Sequence, residues 1–252
     1  MGNGNAGGNA DARFDSAAQS AAKSAPGKKL VIAIDGPAGS GKSTLAALLA
    51  RKYGYTNIET GAMYRALAFK AIDGGVSLDD GQQLAALAQQ SKIELVPNPD
   101  GNRVLLDGQD VSERLRSQEV TEAASRVSVH PPVREWMVAS QRRMGAEGGI
   151  VMEGRDIGTK VFPDAEIKIF LDAAPEVRGT RRFLQSPAAA AQESAVLDEL
   201  RARDQRDRTR ANSPLVAAPD AVRIDSTYLT LDQVLARAVE LIEAKLNPAS
   251  RK

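Results

Sequence analysis

Gly36, Pro37, Ala38, Gly39, Ser40, Gly41, Lys42 and Ser43 carry the spacing G-x-x-x-x-G-K-S, and Thr44 follows them. Each fixed position suits a polyphosphate. The glycines admit left-handed backbone and let the main chain come close to phosphate oxygens. Consecutive N–H groups then converge on the anion at a helix N-terminus. Lys42 supplies a point charge for the β- and γ-phosphates, and the Ser43 hydroxyl can ligate Mg²⁺. The loop follows Leu30-Val31-Ile32-Ala33-Ile34, an apolar run that reads as a strand buried on both faces. It opens a helix from Ser43 to about Lys52, with Leu45, Leu48 and Leu49 at helical spacing. A strand, this loop and a helix make a P-loop, so the donor is a nucleoside triphosphate.

Arginine is the second concentration of chemistry. Arg65, Arg134, Arg155, Arg178, Arg181, Arg182, Arg203, Arg206, Arg208 and Arg210 are spread over the chain, most of them beyond residue 150. A monophosphate acceptor brings about two negative charges beside the triphosphate. Planar guanidinium forks grip such groups in a bidentate way. Arg203, Asp207 and Arg210 stand at i, i+4 and i+7, on one face of a helix. Spacing alone leaves two readings open: a solvated helix laced with weak ion pairs, or a phosphate-facing surface. Gly149-Ile150-Val151-Met152 reads as a strand that ends in Glu153, a candidate to organise Mg²⁺, and Gly154-Arg155-Asp156 comes next. An arginine there suits an anionic acceptor better than a motor protein. The D-x-x-G and N-K-x-D segments of GTPase switches are absent.

Other elements must position these groups. Ile167–Leu171 and Ala221–Asp225 read as further buried strands, with helical patterns between, giving an α/β body with a parallel sheet. Ile93–Val96 and Arg103–Leu106 flank the turn-rich 97–102, a hairpin signal. The expected insertion is small and antiparallel, at about 87–118, followed by helix over 113–144 broken at Pro131-Pro132. Residues 1–27 are rich in Gly, Asn, Ala and Ser and read as a disordered tail ahead of a kinase domain at 28–252. The tail lacks the pattern of a secretory signal.

Composition closes several routes. The chain has no cysteine and one histidine, His130, so thiolate metal sites and a histidine-centred triad are not expected. The formal net charge of +1 argues against bulk attraction to nucleic acid or membrane. No apolar run approaches the roughly 20 residues of a membrane span. A cytoplasmic monomer is the expectation. His130 and Trp136 read as packing residues.

Residues 29–246 resemble bacterial cytidylate kinase, the (d)CMP kinase of the nucleoside monophosphate kinase group. The carriers are Ile34–Pro37, Glu59-Thr60-Gly61-Ala62-Met63-Tyr64-Arg65, Glu153–Thr159, Val161–Ala165, Ile169–Ala173 and Arg203–Arg208. The resemblance implies a P-loop three-layer fold with a parallel sheet core, an inserted antiparallel monophosphate-binding lobe and a helical lid at about 178–212. It implies transfer of the γ-phosphoryl group of ATP, with Mg²⁺, to CMP or dCMP. Arg65 and Arg155 would hold the acceptor phosphate, and Thr60 would lie beside the nucleotide. Asp156 would meet the cytosine amine, with Ser125 and Arg134 at the base. Arg203, Asp207 and Arg210 would reach sugar and phosphate. Lys42, Arg155, Arg178 and Arg182 would stabilise the transferring group, and Ser43 and Glu153 would serve the metal. The chain departs from a common family form at Glu59 and Glu153, where aspartate is frequent. Spacing alone also admits another small P-loop kinase, using UMP, AMP or a non-nucleotide acceptor, or a nucleotide-binding protein without catalysis.

Overall fold

The computed structural model describes residues 29–98, 101–184 and 193–247. The tail at 1–27 and the alanine-rich lid stretch 186–191 lie outside the described residues. The central sheet is parallel. It starts with β1 (Val31–Asp35), flanked by β6 (Ile150–Gly154) and β7 (Ile167–Asp172); β2 (Thr56–Glu59) and β8 (Val222–Asp225) are its edges, in the order β2-β6-β1-β7-β8.

Side-chain alternation explains the layers. Ile32 and Ile34 of β1 point to the face covered by α1 (Lys42–Tyr53) and α8 (Leu231–Leu246), where Leu45, Leu49, Val234 and Ile242 bury against them. Ala33 points the other way, with Ile150 and Met152, toward Ile157 and Val138. Both faces are thus dry at the sheet centre. The expectation of a third fully buried strand at 221–225 is corrected: β8 is an edge, and Val222 is 42% exposed. β2 has one buried apolar residue, Ile58, too little for an apolar run to mark it.

A second core joins α2 (Thr60–Asp73), α3 (Gly81–Gln89), α4 (Gln118–Val127) and α5 (Pro131–Met144) through Met63, Leu67, Leu84, Val127 and Met137. The expected insertion packs onto it as an antiparallel sheet of β3 (Ile93–Asn98), β4 (Gly101–Leu106) and β5 (Gln109–Asp110). Asp107 and Gly108 both take positive φ, 52° and 84°, between the paired Leu106 and Gln109. That is the two-residue hairpin that matches strand twist. Asp107 also accepts from Lys70 of α2 at 2.6 Å and from the Lys92 N–H at 2.8 Å.

Two helices, α6 (Pro175–Leu184) and α7 (Glu193–Thr209), cover the C-terminal ends of the strands. His130 caps α5, with Nε2 2.9 Å from the Leu78 carbonyl oxygen, and Trp136 packs on the helical core. Both fill the packing roles expected. Among the described residues, no helix is long and apolar enough to cross a membrane.

Candidate active site

The parallel register delivers the site. Ile34 pairs with Glu153 and Asp35 with Gly154, so the phosphate loop and the Glu153–Asp156 segment leave adjacent strands side by side. Gly36 has φ 153°, and a Cβ there would stand 2.0 Å from the Leu171 oxygen. The loop therefore turns hard against β7, which only glycine permits.

Lys42 is buried and folds back over its loop, donating to the Pro37 oxygen at 2.7 Å and to Ser40 Oγ at 3.4 Å. Burial, reinforced by repulsion from Arg155, pushes its pKa well below the ordinary lysine value. Ser43 donates to Glu153 Oε1 at 2.9 Å. Burial raises the Glu153 carboxyl against the pull of Lys42, and Glu59 adds to the rise. Thr60 starts α2 and donates to the Glu153 main-chain oxygen at 2.8 Å. Arg65, five residues further along α2, donates to Glu59 Oε1 at 2.5 Å.

A chain of buried charges joins α5, α7 and the segment after β6. Arg134 of α5 pairs with Asp156 at 2.5 Å, both almost fully buried. Arg155 donates to Asp207 of α7 at 2.9 Å. Arg210, just beyond α7, stands 3.7 Å from Asp207 and 4.0 Å from Asp156. Burial works against the Asp207 carboxylate, but Arg155, Arg203 and Arg210 overcome it and hold the pKa below the usual carboxylate range. Burial and the neighbouring Arg155 bring the Arg203 guanidinium down to about 10. Arg134 Nε, Arg203 Nε and Arg210 Nη2 are buried and make no hydrogen bond. Unpaired buried donors are costly, so these point to a partner that a substrate would supply.

These groups line one cleft. Ser43, Thr60, Arg65, Ser125, Arg134, Arg155, Asp156, Arg203, Asp207 and Arg210 meet in a compartment of about 180 Å³, which Lys42 and Glu153 also line. The loop from Ala38 to Thr44 opens into a compartment of about 480 Å³, walled by Leu171, Leu229, Leu231 and Val234. Arg182 lines both. Every acceptor residue expected from the sequence is therefore gathered in one place. Gly36 and Pro37 form the root of the loop.

Two expectations change. Arg178 does not line the cleft. It is buried beneath the loop, donating to the Ala173 and Ala38 oxygens at 2.9 and 3.1 Å and pairing with Asp204 at 2.6 Å. Its three contacts brace the loop rather than face a transferring phosphoryl. Among the described residues the antiparallel sheet also contributes no lining residue; α2 and α4 do, and the sheet packs on the same core.

Sequence reasoning gave no role to Asp35 or Tyr64, and held Arg181 only as one of the arginines that could grip an acceptor phosphate. Asp35 is buried and accepts from the Ile157 and Gly158 N–H groups at 2.8 and 2.7 Å. Burial raises its pKa to about 6. Tyr64 lines the acceptor compartment, with the Arg134 guanidinium 5.7 Å from its ring centroid. Arg181 donates to the Ser226 side chain and main chain at 3.0 and 2.8 Å at the donor end. The acidic residue that ends β1 was a signal available for Asp35; the other two depend on which helix faces which cavity.

A family model described as cytidylate kinase matches residues 32–244. The chain is 46% identical over 221 residues to a cytidylate kinase of Geobacillus thermodenitrificans, covering 87% of this chain and 99% of that one. It is 47% identical to a cytidylate kinase of Citrifermentans bemidjiense, covering 86% and 94%. It is 44% identical to a cytidylate kinase of Pasteurella multocida, covering 87% and 97%. With this much of the chain matched, and with the loop, the two compartments and the arginine cluster in place, the protein belongs to the cytidylate kinase family.

Proposed function

We propose that the cleft holds ATP in the larger compartment and CMP or dCMP in the smaller, and passes the γ-phosphoryl group directly between them. One observation carries the acceptor assignment: the buried Arg134–Asp156 pair stands beside Ser125. Cytosine offers an N4 amine donor with N3 and O2 acceptors. Asp156 can accept from N4, while Arg134 and Ser125 donate to N3 and O2. Uracil presents a carbonyl where cytosine has the amine, which leaves the carboxylate unpaired and repelled. CMP and dCMP carry the same base, so the same three contacts serve both.

The acceptor phosphate would rest on Arg65 and Arg155, with Arg203, Asp207 and Arg210 holding sugar and phosphate. An oxygen of that phosphate attacks the γ-phosphorus as the bond to the β-bridging oxygen breaks and ADP leaves. The nucleophile is already anionic, so no general base is required. Lys42, Arg155 and Arg182 would neutralise the charge shared between donor and acceptor, and the low-dielectric cleft strengthens that effect. Arg178 would act through the loop it braces.

Mg²⁺ suits the donor set. It takes one or two carboxylates with substrate phosphates and keeps several waters, and the Ser43 hydroxyl and buried Glu153 carboxylate meet beside the loop. Ser43 and Glu153 would hold the ion, which would neutralise charge on the bound triphosphate. The longer glutamate side chain reaches the Ser43 hydroxyl directly.

ADP release with and without CMP tests this reading. Wild type is expected to depend on CMP. Arg65→Ala and Asp156→Ala are expected to lower kcat/KM for CMP by about 100-fold or more. Unchanged CMP-dependent turnover in both variants would overturn it.

A further inference from the structure

The Ser125 hydroxyl is held from behind. Arg206 of α7 donates its Nε–H to Ser125 Oγ at 3.1 Å. Ser125 is buried and lines the acceptor compartment; Arg206 does not. Arg206 is exposed and reaches the serine from a neighbouring cavity of about 430 Å³ between α4, α6 and α7. A second tie joins the same helices, Gln118 Nε2 donating to Glu199 Oε1 at 2.6 Å.

The polarity of this contact matters. A serine hydroxyl has one proton and two lone pairs, while guanidinium only donates. Arg206 therefore fills one lone pair and cannot take the proton. It also holds the oxygen in the rotamer that faces the cleft. The hydroxyl proton is left to point elsewhere, and the base edge of the acceptor is where an acceptor atom would stand. Cytosine has a bare N3 and O2; uracil carries a hydrogen on N3. At N3 a hydroxyl free to rotate serves either base, whereas one fixed as a donor favours cytosine; O2 accepts in both bases and does not discriminate.

We propose that Arg206 is a positioning residue for acceptor choice, fixing the Ser125 hydroxyl as a donor toward cytosine without touching the substrate itself. This rests on the reading of Ser125 as a base contact. It gives α7 two tasks. Arg203 and Asp207 face the cleft directly, and Arg206, on the neighbouring face, sets a group across it.

Steady-state kinetics on four proteins test it: Arg206→Ala, Arg206→Lys, Ser125→Ala and the double variant. For Arg206→Ala, KM for CMP should rise about fivefold. Its kcat should stay within about twofold and KM for ATP should not move, while the CMP-over-UMP ratio of kcat/KM should fall about fivefold. Arg206→Lys keeps a donor and should recover most of the ratio. The double variant should be no worse than Ser125→Ala alone, because one contact is being removed twice. If Ser125→Ala weakens CMP use while Arg206→Ala is silent, or if the two effects add, the proposal is wrong. A drop in melting temperature of Arg206→Ala with an unchanged CMP-over-UMP ratio also overturns it. If Ser125→Ala itself is silent, the base-contact reading of Ser125 has failed first and this inference falls with it.

Discussion

Asp35 ties the phosphate loop to the segment that follows β6. It ends β1 immediately before Gly36, and its two oxygens take the N–H groups that follow Arg155-Asp156. Its folded pKa of about 6 lies above its ordinary 3.8. The folded chain therefore binds the proton more tightly than the unfolded chain. The resulting penalty is absent below about pH 3.8 and grows until the pH passes about 6. Relative to Asp35→Asn, wild type should lose up to about 3 kcal/mol of unfolding free energy between pH 4 and pH 7. Urea unfolding of both proteins across that range checks it; a difference that is flat with pH would contradict it. Asp35 escaped the sequence reading because its partners lie more than a hundred residues away. Arg65, Arg155 and Asp156 were expected from motif and resemblance; spacing put Arg203, Asp207 and Arg210 on one face but left a solvated helix open until the resemblance was added, and all six line the same cleft. Arg178 belonged to the same arginine-rich region, yet only packing decides that it turns under the loop.

At the level of elements, the loop depends on α6 through Arg178. Arg178→Ala would leave the Asp204 carboxylate without its cation and two loop-side carbonyls without a donor. A loss of about 3 kcal/mol or more is expected, because one partner of a buried pair is removed. KM for ATP should rise more than KM for CMP. Thermal melts and both KM values measure this, and an equal rise in both would contradict it. The antiparallel sheet should behave differently. Gly108→Val puts a β-branched residue at φ 84° with nothing within 4 Å of the new Cβ. The cost is conformational, about 1–2 kcal/mol, and kcat/KM for CMP should be unchanged. A loss of activity at full stability would mean that this sheet reaches the substrate after all. The hairpin itself was legible from its turn residues. β2 was not, since four residues with one buried side chain give no period, and its place comes from pairing with β6.

Over the whole molecule, three hydrophobic clusters surround the sheet and the cleft. One packs β1 against α1 and α8, a second covers the opposite sheet face through Ala33, Met152 and Ile157, and a third joins α2 through α5 behind the smaller compartment. Helices α6 and α7 lie across their junction and supply Arg182, Arg203, Asp207 and, through Ser125, Arg206. The fold class was readable because buried parallel strands are continuous apolar runs separated by helical periods. The donor cavity was not, because Leu171, Leu229, Leu231 and Val234 come from three elements that only the tertiary fold assembles. What distinguishes this enzyme from other P-loop kinases is its acceptor half. The direct test is kcat/KM for CMP, dCMP, UMP and AMP at saturating Mg·ATP. CMP and dCMP should be used comparably, with UMP and AMP poorer by a factor that can reach about 10⁴. Turnover of AMP or UMP equal to that of CMP would contradict the assignment of Asp156, Arg134 and Ser125 as the readers of cytosine.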